Sequence, residues 1–165
     1  MSLRRGLWAS LAAGAVILAL IPSIAQYGLF SPLNLSMMSA LVAVAVVAFR
    51  YFSRAVGSPL FDKIGVAVIS AAAAGVVMLW AGIDLGAAVI AIAYWGEPVM
   101  GYFIYRRLEA GLWRAVFLAS AAAYAYTLPL VLLGLWQIPE LADAVKVVAL
   151  IALLRPSAPG TFRVR

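Results

Sequence analysis

The stretch spanning residues 64–105, IGVAVISAAAAGVVMLWAGIDLGAAVIAIAYWGEPVMGYFIY, decides the fold class. It holds two acidic side chains, Asp84 and Glu97, and no basic one. A bilayer's hydrocarbon core is about 30 Å thick and takes about 20 apolar residues per helical crossing. The stretch is therefore long enough for two crossings, and Gly82-Ile83-Asp84-Leu85-Gly86 places a turn at its centre. Runs 64–83 and 85–105 are read as a tight antiparallel helical hairpin.

The same pattern continues outward on both sides. Runs 7–30, 35–52 and 115–136 are each long enough to span, and run 141–154 is short for a span. The expectation is an all-α, polytopic integral membrane helix bundle of six transmembrane segments, five clear and the sixth short. They form one transmembrane domain over 1–165, read as three helical hairpins (7–53, 64–105 and 115–154) with a short polar tail, 156–165. An interfacial or re-entrant helix is the alternative for run 141–154. Breaks are expected at Ser31, Pro32 and Asn34, at Gly57, Ser58 and Pro59, and at Gln137 with Pro139. The first run exceeds the apolar core of about 7 to 15 residues of a cleaved signal and ends without a small-x-small site, so it is read as a helix.

Composition agrees with a membrane protein. The chain is 67% hydrophobic and 11% charged with a mean hydropathy of +1.08, far from the roughly half-apolar, quarter-charged soluble norm. One Asn and two Gln also fit a thermophile. The formal net charge of +6 does not indicate nucleic acid, because the basic residues cluster at the ends of apolar runs. Arg4 and Arg5, Arg50, Arg54 and Lys63, Arg106, Arg107 and Arg114, and Arg155, Arg163 and Arg165 form these groups. Threading six spans alternately puts every basic residue except Lys146 on one side, and the positive-inside rule then places both termini in the cytoplasm of a cell-membrane protein.

The absence of Cys and His excludes thiolate or imidazole metal sites, haem ligation and triads built on an imidazole base. No phosphate loop, dinucleotide-binding glycine pattern or nucleophile elbow is present. Neither an enzyme nor a bound cofactor or metal is expected.

An ionisable side chain at mid-membrane costs about 2.5 to 3.5 kcal/mol on insertion scales and is a functional candidate by default. Glu97, in Tyr94-Trp95-Gly96-Glu97-Pro98, is the foremost one. Pro98 removes a backbone donor and frees a carbonyl one turn earlier, and a carboxyl there can bind a cation or exchange a proton. The competing reading makes Glu97 a packing contact to a neighbouring Tyr, Ser or Lys. Lys146 is the one basic residue away from the clusters, and Asp143, three residues before it on the same helix face, is its expected partner in preference to Glu97. Gln26, Tyr94, Tyr124 and Tyr126 are expected to line a small-ligand cavity with Glu97, alongside Ser70, Ser120, Thr127 and Trp95. Pro22, Pro98 and Pro129 are expected to break their helices.

Gly6-Leu7-Trp8 and Gly111-Leu112-Trp113 open the first and fifth runs, and Gly28-Leu29-Phe30 and Gly134-Leu135-Trp136 close them. This suggests a duplicated hairpin about an axis along the membrane normal, although Ala-Val-Leu hairpins also match by chance. Small residues at Ala71 to Gly75, Gly82 and Gly86 predict close helix packing. The expected partners are membrane lipid and either further copies of the chain or a larger membrane complex. Two functions follow: a small transporter or channel for a small solute or cation with Glu97 as the proton or cation site, or a non-catalytic accessory or scaffold subunit. A cavity reaching Glu97 favours the first, and a dry contact with Lys146 or a tyrosine favours the second.

Overall fold

The computed structural model describes residues 2–155; the tail 156–165 lies outside the described residues. The described chain is all-α, and five of its helices are long and apolar enough to cross a membrane. Helix α1 runs Ser2–Tyr27, α2 Pro32–Val56 and α3 Pro59–Trp80. The fourth crossing is divided into α4, Leu85–Tyr94, and α5, Gly96–Tyr105. Next come α6, Leu112–Thr127, a 3₁₀ segment, Leu128–Leu133, and α7, Gln137–Leu154.

Several boundaries differ from the sequence expectation, each for a local reason. Pro32 and Pro59 begin helices rather than merely ending the preceding ones, because a proline in the first turn loses no hydrogen bond and arrives with helical φ. Ser31 caps α2 by accepting from the Asn34 N–H. Pro139 is likewise tolerated in the first turn of α7, so that helix starts at Gln137 rather than 141. At about 1.5 Å per residue its 18 residues rise about 27 Å. It is not among the five long apolar helices, and it carries three charges, Glu140, Asp143 and Lys146. Pro22 lies inside an unbroken α1, contrary to expectation. Pro129 ends the regular α-helix of the fifth run and opens the 3₁₀ segment.

Helices adjacent in the chain pack side by side, and α1 also packs against α7. The helices therefore close into a ring in the order α1, α2, α3, α4–α5, α6, α7, and among the described residues none runs through its centre. Where α3 meets α4 the backbones nearly touch: a Cβ at Gly86 would sit 2.5 Å from the Gly75 carbonyl oxygen, and one at Gly75 would sit 2.8 Å from that of Gly86. Only glycine permits this approach, the packing that small-residue faces provide where lipid removes a hydrophobic drive.

The described basic residues other than Lys146 lie at one end of the ring. There a core cluster takes Leu7, Phe52, Phe61, Ile104, Phe117 and Leu150, one from each member of the ring. Phe61 stacks on Phe49 and meets Phe103 edge-on, with centroids 5.9 and 6.0 Å apart. Arg107 ties two crossings together by donating to the Val56 carbonyl. At the other end, buried Asn34 accepts from Ser23 Oγ at 2.6 Å and donates to the Gly28 carbonyl at 2.7 Å, fastening α2 to the end of α1. The closing glycines of the two similar hairpins, Gly28 and Gly134, share a left-handed φ of 80° and 79°.

Candidate functional site

The apolar inner faces of the ring enclose a cavity of about 260 Å³. Its walls are mostly aliphatic and aromatic, and among the described residues its only polar side chains are Ser10, Tyr94, Glu97, Tyr124 and Lys146. Phe49, Phe52, Ile104 and Phe117 form its floor, belonging to or packed against the core cluster at the basic end. At the opposite end Leu132, on the 3₁₀ segment, lines the cavity.

Glu97 enters from the first turn of α5, just after a tight turn at Trp95, whose N–H donates to the Ile92 carbonyl at 3.1 Å. Pro98 has no N–H, which leaves the Tyr94 carbonyl without its helical donor. Gly96 makes room for the turn, because any side chain there would collide with Val68 on α3.

Across the ring, α7 supplies Lys146. Its Nζ lies 2.8 Å from Asp143 Oδ1 and 3.1 Å from Glu97 Oε1, forming one ionic cluster between α7 and α5. About 12 Å of helical rise separates Glu97 from the end of α5, and the same rise separates Lys146 from the end of α7, so the two charges meet at matching depth. Lys146 is 4% exposed and Asp143 is fully buried, while the Glu97 side chain retains 30% exposure. Lys146 Nζ also sits 4.4 Å from the Tyr124 ring centroid, a cation–π contact. Tyr124 in turn meets Tyr94 edge-on at 5.5 Å. Asp143 faces Gly14 of α1, where an added Cβ would lie 3.6 Å from Oδ2. Among the described residues, Glu97 Oε2 and both Asp143 oxygens make no hydrogen bond, the contact of Oδ1 with Lys146 being an ion pair alone.

Of the residues expected to form a site, the structure brings together Glu97, Tyr94, Tyr124, Lys146 and Asp143. The others are not part of the cluster. Tyr126 is 61% exposed, because two residues advance about 200° around a helix and carry it to the face opposite Tyr124. Gln26 lies in the exposed last turn of α1, away from the cavity. Ser70 is also exposed. The Ser120 and Thr127 hydroxyls donate to carbonyls of their own helix, Val116 at 2.7 Å and Ala123 at 2.6 Å. Lys146 was expected to prefer Asp143, and it contacts both carboxylates because its position on α7 faces α5 across the ring. The cavity floor of Phe49, Phe52 and Phe117 had no signature in the sequence beyond ordinary apolar residues. No cluster of three potential metal-ligating side chains occurs among the described residues.

Comparison with known proteins is negative at each level: no family model matches the sequence, no curated protein matches it, and no solved structure matches the chain.

Proposed function

We propose that the chain is a small multi-pass transporter or channel for a small solute or cation, in which Glu97 takes up and releases a proton or cation. In this reading α7 completes six spans, both termini are cytoplasmic, and the ring works in the cell membrane among lipid and further copies of itself. The supporting observation is the pocket at the centre of the ring, mostly apolar, with Glu97 and Lys146 on its wall. Charged groups are costly at this depth, and ligand sites combine apolar walls with a few convergent polar groups.

The contact between Lys146 and Glu97 favours a second reading, in which the ionic cluster only holds helices together in an accessory or scaffold subunit. Flux separates the two. Purified protein in liposomes with a trapped pH dye is challenged with a membrane potential and with opposed sodium or potassium gradients. Transport predicts a protein-dependent ion or proton flux that Glu97→Gln returns to the empty-liposome rate. Flux unchanged by that substitution overturns the role of Glu97, and native mass measurement after gentle extraction showing a stoichiometric foreign partner supports the scaffold.

A further inference from the structure

We infer that the pocket takes a monovalent organic cation with an apolar body, and that this cation competes with a proton for the ionic cluster. The inference rests on the transport reading and names its substrate class. Its first support is charge. With all three groups ionised, Glu97, Asp143 and Lys146 carry one net negative charge in a site walled by hydrocarbon. Buried charge persists when it is paired, so in the fully ionised cluster one carboxylate equivalent calls for a proton or a cation as its counter-charge. Neither oxygen of the fully buried Asp143 makes a hydrogen bond among the described residues, Oδ1 having only its ion-pair contact with Lys146. Among the described residues no other element lining the cavity relieves this excess. Tyr94 on α4 and Tyr124 on α6 are neutral hydroxyl-bearing rings, and α1, α2 and α3 present no ionisable side chain to the cavity.

The second support is shape. The cavity is about 260 Å³, just under the range of roughly 300–1,000 Å³ typical of ligand pockets, which suits a ligand on the order of ten non-hydrogen atoms. A bare metal cation would leave the aliphatic walls unused, and an anion would meet the net negative charge. An organic cation places its body on the hydrocarbon and its charge beside Glu97, with Tyr94 on the same wall as a further aromatic surface.

The exchange balances simply. In the resting neutral cluster one carboxyl holds a proton. When the cation enters, that O–H bond breaks, the proton leaves to solvent, and the carboxylate pairs with the cation. A quaternary ammonium has no N–H, so any proton released on its binding comes from the protein.

The probe is therefore benzyltrimethylammonium, titrated calorimetrically into the detergent-solubilised full chain in two buffers of different ionisation enthalpy, with benzoate as the anionic control. Saturable binding of the cation but not of benzoate is expected, with release of up to one proton per cation. Glu97→Gln should weaken binding about tenfold or more and abolish the release, while Glu97→Asp retains both in part. A monodisperse, helical Glu97→Gln protein that binds as wild type overturns the inference, as does equal binding of benzoate. Failure of the cation to bind while Glu97-dependent flux persists in liposomes overturns this substrate class and leaves transport standing. Binding with proton release but no flux upholds the site and overturns transport.

Discussion

Replacing Lys146 by methionine removes the positive charge shared by two carboxylates while keeping an unbranched side chain of similar length. Lys146 Nζ lies 2.8 Å from Asp143 and 3.1 Å from Glu97, and both Lys146 and Asp143 are shielded from solvent. Breaking a buried pair by removing one partner costs about 3–5 kcal/mol, because the other charge is left uncompensated. Most of that cost falls on Asp143, which is fully buried, since Glu97 at 30% exposure is partly screened. The lower end of the range, about 3 kcal/mol, is therefore expected, roughly a hundredfold in the unfolding equilibrium. The assay is reversible unfolding in mixed micelles of rising dodecyl sulfate fraction, followed by helical circular dichroism. A compensated variant carrying Lys146→Met, Asp143→Asn and Glu97→Gln removes the charges together and should recover most of the loss. A Lys146→Met protein within about 0.5 kcal/mol of wild type, inside the scatter of ordinary surface substitutions, refutes the claim that this lysine holds the cluster together.

Two other outcomes are expected. Gly86→Ala, which drives a methyl group into the Gly75 backbone carbonyl, should destabilise by about 1–3 kcal/mol; Gly111→Ala, where nothing lies within 4 Å of the added carbon, should change little in the same unfolding assay. Because the chain has no cysteine, single cysteines map its orientation directly: an impermeant maleimide should label Ile83→Cys on intact cells and Ala110→Cys only after permeabilisation, and the reverse pattern overturns the cytoplasmic placement of the termini.

The hairpin at residues 64–105 and the five long apolar helices were legible because span length and charge-free runs are read directly along the chain. Close packing at Gly75 and Gly86 was legible for a similar reason, since a missing side chain is visible without knowing its neighbour. Helix facing was much less legible. A soluble helix marks its inner face with apolar residues, but a helix between lipid and protein is apolar all round. Tyr124 and Tyr126 therefore look alike in the sequence, although one touches Lys146 and the other is exposed. Gln26 misled because a polar residue in an apolar run suggests an interior role, whereas it sits in the exposed last turn of its helix. The meeting of Glu97 with Lys146 depends on ring closure through the packing of α1 against α7. No spacing along the chain encodes that contact, while Asp143 and Lys146, three residues apart, are neighbours by helical geometry alone.

With the middle of the ring unoccupied by any described helix, the bore is set by how far six inward faces project. Much of that lining is alanine: Ala13, Ala45, Ala72, Ala87 and Ala91 each hold the wall back by the length of a missing side chain. Exchanging one of them for valine or leucine narrows the chamber from a chosen side without touching a charge. The volume of the chamber is thus adjustable methyl by methyl, independently of the charged groups on its wall.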